Sequence, residues 1–468
     1  MSVLVLACCL AGLGAGSTTT ITQRVSSPLA LHPDNPHYFL WQGRPTVLIG
    51  SGEHYGALMN LDFDYRKYFD TLAADGMVLT RVFSGAYVEP EGAFKIARNT
   101  LAPLPGRFIA PWARSDQPGY ANGGNKFDLR RWDESYFARL RALAAYAATK
   151  GVVLELTLFC PMYENTQWNL SPMNAQNNVN ALGSVGRLDV YTLDKHGGLL
   201  EIQDALTRRV VTELNPMDNV IFEIMNEPYT RAVPIDWQRH VAGVIVDTER
   251  TLPKKHLISQ NIANKSGAVD AAHPAVSVFN FHYANTDAVS ANWALNKVIG
   301  DNETGFKGTG DTPYRQEAWD FILAGGGLFN HLDYSFAAGF ENGTFAYPST
   351  QPGGGNAGFR RQMKVLSDFI HRFEFVGMHP DDSVVRSTAP AGVTAHALVS
   401  DTAMAIFVKG GGSGTTLSVR LPPGSWTAEW IDTVTGATVG RVDAVGDSVR
   451  LLEAPPHGTD VALRLVKQ

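Results

Sequence analysis

Residues 219–229, Asn-Val-Ile-Phe-Glu-Ile-Met-Asn-Glu-Pro-Tyr, put an apolar run directly before Asn226, Glu227 and a proline. The β-branched and aromatic residues favour a strand and Pro228 stops it, so the run ends by presenting a carboxylate. A simple turn built from Asn226, Glu227 and Pro228 is the plainer alternative. A second acidic cluster, Gly300-Asp-Asn-Glu-Thr-Gly305, follows another short apolar run and offers Asp301 and Glu303. Two carboxylates facing each other across a cleft can divide the work of breaking a glycosidic bond: one protonates the departing oxygen, the other attacks or stabilises the electron-poor carbon. A separation of about 5 to 5.5 Å predicts retention through a covalent intermediate, whereas an inverting enzyme leaves room for a water between them.

Such a pair needs elements that bring residues 227 and 303 to one rim. Apolar runs predict strands over 46–50, 77–83, 152–160, 220–225, 256–261, 276–283 and 297–301, with a weaker eighth over 327–331. Helical periodicity falls between them: over 62–75, closed by Gly76; after the capping residue Asp133, closed by Gly151; over 199–214; after Asp236; and over 359–373. Eight strands alternating with helices predict an α/β fold, a (β/α)8 TIM barrel over 17–376, whose chemistry belongs at the carboxyl ends of the strands. From 377 to 468 the pattern changes to short alternating runs broken by Gly, Pro and Asp, which predicts a small antiparallel β-sandwich as an accessory domain. Residues 432–436 supply one of its hairpin turns. Trp426 and Trp430 alternate there and are read as core and interface. The stretch 84–129 is rich in Gly, Pro and Asn without clear periodicity, and is expected to be a loop overhanging the substrate site.

The 468 residues are 44% hydrophobic and 18% charged, with a net charge of −6 and no basic runs. That excludes an electrostatic footprint for nucleic acid and suits a neutral partner such as a carbohydrate. The thirteen histidines are scattered. Neither a His-Glu-x-x-His nor a paired-cysteine motif occurs, so no metal and no cofactor is expected. Gly-x-Ser-x-Gly is absent as well, which weakens an esterase reading. Gly50, Gly52 and Gly56 miss the dinucleotide fingerprint, whose third glycine would stand where Tyr55 does. Residues 1–16 are apolar and end in small residues, resembling a secretory signal region and predicting a secreted or periplasmic protein; Cys8 or Cys9 as a lipidation point is the alternative. With that region removed, Cys160 is the remaining cysteine, expected as a buried, inert thiol. No other run is long enough to span a membrane.

Asn226-Glu227-Pro228 after strand four, with Glu223 four residues upstream, resembles the motif of clan A glycoside hydrolases, particularly the family 5 cellulase-like group. Residues 297–305 resemble the strand-seven endings of apiosidase-like members of the clan, whose barrels are followed by a similar small β-domain. The resemblance implies Glu227 as acid/base, Glu303 as nucleophile, Asn226 on the sugar 2-hydroxyl and Arg81 beside the nucleophile. His282 and Tyr283 resemble the histidine and tyrosine after strand six, although here they adjoin instead of standing one residue apart. Asp301 is the competing nucleophile, and Glu317, in the following helix, a remoter one. The strand-eight tryptophan of family 5 is replaced by Asn330, His331, Asp333 and Tyr334, so cellulase activity is not implied. From the residues themselves, His54 beside Glu53, Tyr163 and Trp168 are candidates for binding sugar, Trp168 as a stacking platform. Glu223 is expected to face away from Glu227 and pair with a barrel arginine. The expected activity is that of a secreted retaining O-glycosyl hydrolase acting on plant or microbial polysaccharide or oligosaccharide. An inverting glycosidase and a non-catalytic carbohydrate-binding barrel are the alternatives. The proton of Glu227 is expected to be held to higher pH by burial and by the neighbouring carboxylate.

Overall fold

The computed structural model describes residues 27–468. The apolar run 1–16, with Cys8 and Cys9, lies outside the described residues. Eight parallel strands form the barrel: β1 Leu48–Gly52, β2 Leu79–Phe83, β3 Val153–Phe159, β4 Val220–Met225, β5 Leu257–Asn264, β6 Val276–His282, β7 Val298–Thr304 and β8 Leu328–Leu332. They pair in the order β1-β8-β7-β6-β5-β4-β3-β2. A bond from the Val78 amide to the Ile49 carbonyl, 3.2 Å, joins the two ends of the series. Nearly every residue of these strands is buried, because helices cover the outside and side chains fill the inside.

The chain adds a floor that periodicity does not reveal. Strands Ala30–Leu31, Phe39–Trp41 and Arg44–Thr46 form a small antiparallel sheet. Its Phe39 and Trp41 pack with Leu48, Leu79, Val153, Ile221, Val278, Val298 and Leu328, the first or near-first residues of seven barrel strands. Thr46 thus belongs to this floor, and β1 starts two residues later than the apolar run suggests. The opposite end carries the loops. Within 84–129, read from the sequence as loop, Trp112–Pro118 and Asn125–Trp132 pair as an antiparallel hairpin. The alternation Lys126-Phe127-Asp128-Leu129-Arg130, which buries Phe127 and Leu129, is too short to stand out from a stretch otherwise rich in Gly, Pro and Asn.

After the helix Ala357–Ile370 come a six-stranded and a three-stranded antiparallel sheet. They share one apolar cluster, in which Ile406, Trp426 and Trp430 meet Leu417, Val419, Leu421 and Leu452. The helix Asp311–Leu323 ties these sheets to the barrel. Trp319 stacks on Phe407 at 5.5 Å, and Arg315 Nη2 reaches Asp460 Oδ2 at 2.8 Å, both side chains being almost fully buried. No helix among the described residues is long and apolar enough to cross a membrane.

Candidate active site

Arg81, in the middle of β2, is the hub of the barrel interior. Its Nε and Nη2 donate to Glu223 Oε2 at 2.8 and 2.5 Å, its Nη2 to Asn226 Oδ1 at 2.7 Å and its Nη1 to Glu303 Oε2 at 3.0 Å. Glu223 Oε1 accepts from Asn261 at 2.6 Å and Asn302 at 2.7 Å. Below it Glu155 accepts from Ser259, Asn280 and Asn302. Burial and the charge of Glu223 push Glu155 up to about 7, against the lowering pull of Arg81 and of the Ser259 and Asn302 hydrogen bonds. A fully buried guanidinium is tolerable here because each of its three nitrogens donates to a carboxylate.

Glu227 and Glu303 stand above this network, 9% and 7% exposed, and line one cavity of about 220 Å³. Glu227 sits in the left-handed region, φ 37° and ψ 50°, strain of the kind that marks functional positions. Its amide donates to Asn261 Oδ1 at 2.9 Å. Its carboxylate accepts from Tyr163 at 2.7 Å and Tyr229 at 3.3 Å. Glu303 accepts from Tyr55 at 3.1 Å on the Oε2 that Arg81 also holds, and from Tyr283 at 3.0 Å on Oε1. Burial, then neighbouring negative groups, push the Tyr55, Tyr163 and Tyr283 hydroxyls well up, so they stay donors.

His282 Nδ1 lies between the two carboxylates, 3.0 Å from Glu227 Oε1 and 3.6 Å from Glu303 Oε1. Burial disfavours the charged ring, but Glu303 and Glu227 outweigh it and raise His282 above its ordinary value. For Glu227 burial acts upward, yet the hydrogen bond and charge of His282, with the Tyr163 and Tyr229 hydroxyls, hold the carboxyl well below its ordinary value. This reverses the expectation that Glu227 keeps its proton to higher pH. The imidazole takes up the proton that burial would otherwise leave on the carboxyl.

His282 and Tyr283 both reach the site although they adjoin, because Tyr283 turns into the left-handed region at φ 52°. Pairing of β7 also shifts register opposite Phe281/His282 and between Asp301 and Thr304. Asn302 and Glu303 therefore both face the barrel interior, Asn302 toward Glu155 and Glu223 and Glu303 toward the cavity, and Glu303 lies within β7 instead of following it. Asp301 does not line the cavity; its Oδ2 accepts from the Ala284 amide at 3.2 Å, and burial pushes its carboxyl well up. Glu317, on the helix Asp311–Leu323, accepts from Thr304 and Lys307 and also stays out of the cavity.

Among the sugar-binding candidates, Arg81, Asn226, His282, Tyr283, His54 and Tyr163 converge on this site. His54 lies 3.8 Å from Glu89, and both line the cavity. Trp168 does not converge. It is 5% exposed in the core, and its indole N–H donates to the Val185 carbonyl at 3.0 Å, so it packs its loop and offers no platform. Glu53 braces the turn at its base: it accepts from the Gly56 and Ala57 amides at 3.0 Å each and from Thr100 Oγ1 at 2.5 Å. Burial raises it to about 7 even so. Sequence reasoning missed Tyr55, Tyr229, Glu89, Phe94 and Phe306. Tyr55, next to the chosen His54, reaches Glu303 through a left-handed backbone, φ 68°, that its residue type does not announce.

Glu227, His282 and Glu303 each offer a ligand atom, all within 4.8 Å of one another, and could hold a metal ion. In this arrangement Arg81 and His282 already supply positive charge to the carboxylates.

No protein-family model matches the sequence, and no curated protein matches it. Solved structures match in fold. A glycoside hydrolase family 5 structure from Bacteroides vulgatus ATCC 8482 superposes with TM-score 0.63 at 14% identity, covering 94% of this chain and 93% of its own. A structure named simply as a glycoside hydrolase gives 0.63 at 14% identity, over 94% and 97%. A further structure from Bacteroides vulgatus ATCC 8482 gives 0.68 at 14% identity, over 95% and 83%. Over most of its length the chain thus has the fold of glycoside hydrolase family 5 structures, a TIM barrel followed by antiparallel sheets.

Proposed function

We propose that the protein is a retaining O-glycosyl hydrolase, with Glu303 as nucleophile and Glu227 as acid/base. The observation that carries this is the pairing of the two carboxylates: an oxygen of each lies within 4.8 Å of the other, at one cavity and at the carboxyl ends of β4 and β7. That spacing fits direct attack and is narrower than the roughly 6.5–9.5 Å of an inverting pair. Arg81 and Tyr55 fix Glu303 Oε2, and Oε1, which accepts from Tyr283, bonds the anomeric carbon while Glu227 gives a proton to the departing oxygen. Water then bonds the same carbon, Glu227 takes its proton and the Glu303 ester breaks. The proton comes from the Glu227–His282 pair, which holds it on the ring at rest and passes it across their 3.0 Å contact.

The Glu227→Ala variant tests the assignment. Its hydrolysis of glycosides with poor leaving groups should fall by about 10²–10⁴-fold, and azide should restore turnover of an aryl glycoside with formation of the glycosyl azide. Unchanged activity would remove Glu227 from the role. Proton NMR of the first product should show the substrate's anomeric configuration. The apolar residues 3–16 support export; N-terminal sequencing of protein recovered outside the cytoplasm should find that region removed.

A further inference from the structure

Among the described residues two phenylalanines are exposed, Phe94 at 42% and Phe306 at 38%, and both line the reaction cavity. Leaving aromatic surface in water forgoes burial that would stabilise the fold. Phe94 adds backbone strain. It stands at φ 54° between Gly92 at 76° and Lys95 at 61°, a left-handed cluster that a side chain adopts only when its surroundings impose it.

Each ring rests on a tyrosine that holds a catalytic carboxylate. Phe94 meets Tyr163 edge to face at 5.5 Å and 88°, and Tyr163 donates to Glu227. Phe306 meets Tyr283 at 6.2 Å and 82°, and Tyr283 donates to Glu303. The two carboxylates and the tyrosine hydroxyls that hold them are buried in the cavity, and exposed apolar rings flank its mouth. Phe94 is thereby joined through Tyr163 to Glu227, the carboxyl that faces the departing oxygen in the hydrolase reading.

We propose that Phe94 and Phe306 form a clamp for the leaving group and select glycosides whose leaving group presents an apolar face at least one ring wide. This rests on the hydrolase reading above. A sugar stacked by its C–H face and an aromatic aglycone share that chemistry. Phenylalanine has no polar handle, so the clamp sorts by shape and apolarity and not by hydroxyl pattern.

The test is a set of kcat/KM values for the methyl glycoside, the 4-nitrophenyl glycoside and a disaccharide of the sugar that the wild type hydrolyses. Phe94→Ala and Phe306→Ala should each lower the ratio of a ring-bearing substrate to the methyl glycoside about tenfold, and Phe94→Tyr should restore it. A drop confined to the disaccharide identifies a sugar as the natural leaving group; one confined to the nitrophenyl glycoside identifies an aromatic. Ratios held at the wild-type value, whether because all activities fall in parallel or because none falls, would overturn the clamp. Failure of the wild type to hydrolyse any glycoside in a broad panel is a different result. It removes the hydrolase reading, and the clamp with it.

Discussion

Glu227 and His282 divide one proton, and the pH dependence of the protein follows from which of them holds it. His282 titrates above its ordinary 6.5, so its contribution to stability is complete below that value and is lost as pH rises through the folded pKa. Glu227 is depressed below its ordinary 4.5, so its contribution is present above that value and is lost as pH falls. The pair therefore favours the folded, proton-competent state between those limits. In His282→Gln the alkaline fall of kcat/KM should begin about one unit lower, and the decline of Tm above pH 6.5 should flatten. A pH-rate profile with matching melting curves checks both; an unmoved alkaline limb would show that the proton comes from elsewhere. Glu227 is legible in the sequence because proline ends an apolar run directly after it. Its protonation is not, since that depends on a histidine 55 positions away.

At the scale of elements, the site is built where strands leave regular geometry. Glu227, Tyr283 and Tyr55 all have positive φ, and the register of β7 shifts beside Glu303. Apolar runs announce the strands, but the residues aimed into the cavity are set by these irregular ends. For that reason the adjoining His282 and Tyr283 look like a mismatch in sequence and act together in space. Trp168 errs the other way: an aromatic in a polar loop reads as a platform, whereas its loop folds back over it. The turn carrying His54 and Tyr55 is held by contact as well as by Glu53. A Cβ added at Gly56 would meet the Thr100 carbonyl oxygen at 2.2 Å and the Leu101 amide nitrogen at 2.8 Å. Gly56→Ala should cost about 1–3 kcal/mol in denaturant unfolding. It should also raise KM, because the displaced Leu101 lines the cavity. Unchanged stability and KM would show that this loop yields freely.

At the scale of the whole molecule, barrel and C-terminal sheets share buried charge. Burial opposes the ionised Asp460, but Arg315, Thr433 and Thr459 hold it below its ordinary value. Removing one partner strands the other, so Arg315→Ala should destabilise by about 3–5 kcal/mol, more than the paired Arg315→Met/Asp460→Leu replacement. Equal losses in chemical unfolding would argue that the ion pair is not what couples the two parts. The switch to antiparallel sheets after the barrel is legible as a change from long to short periodicity, whereas the docking is not, because Arg315 and Asp460 lie 145 positions apart. The floor sheet has a further consequence, for the timing of folding. Strand β1 finds its ladder partner in β8, 280 residues later, and Phe39 and Trp41 pack against strand starts from all around the ring. Until residue 332 is made, β1 lacks its ladder partner and the floor lacks the last of the strand starts that it covers. Such distant pairings close slowly, so the joining of β1 to β8 is expected to be a late step of folding.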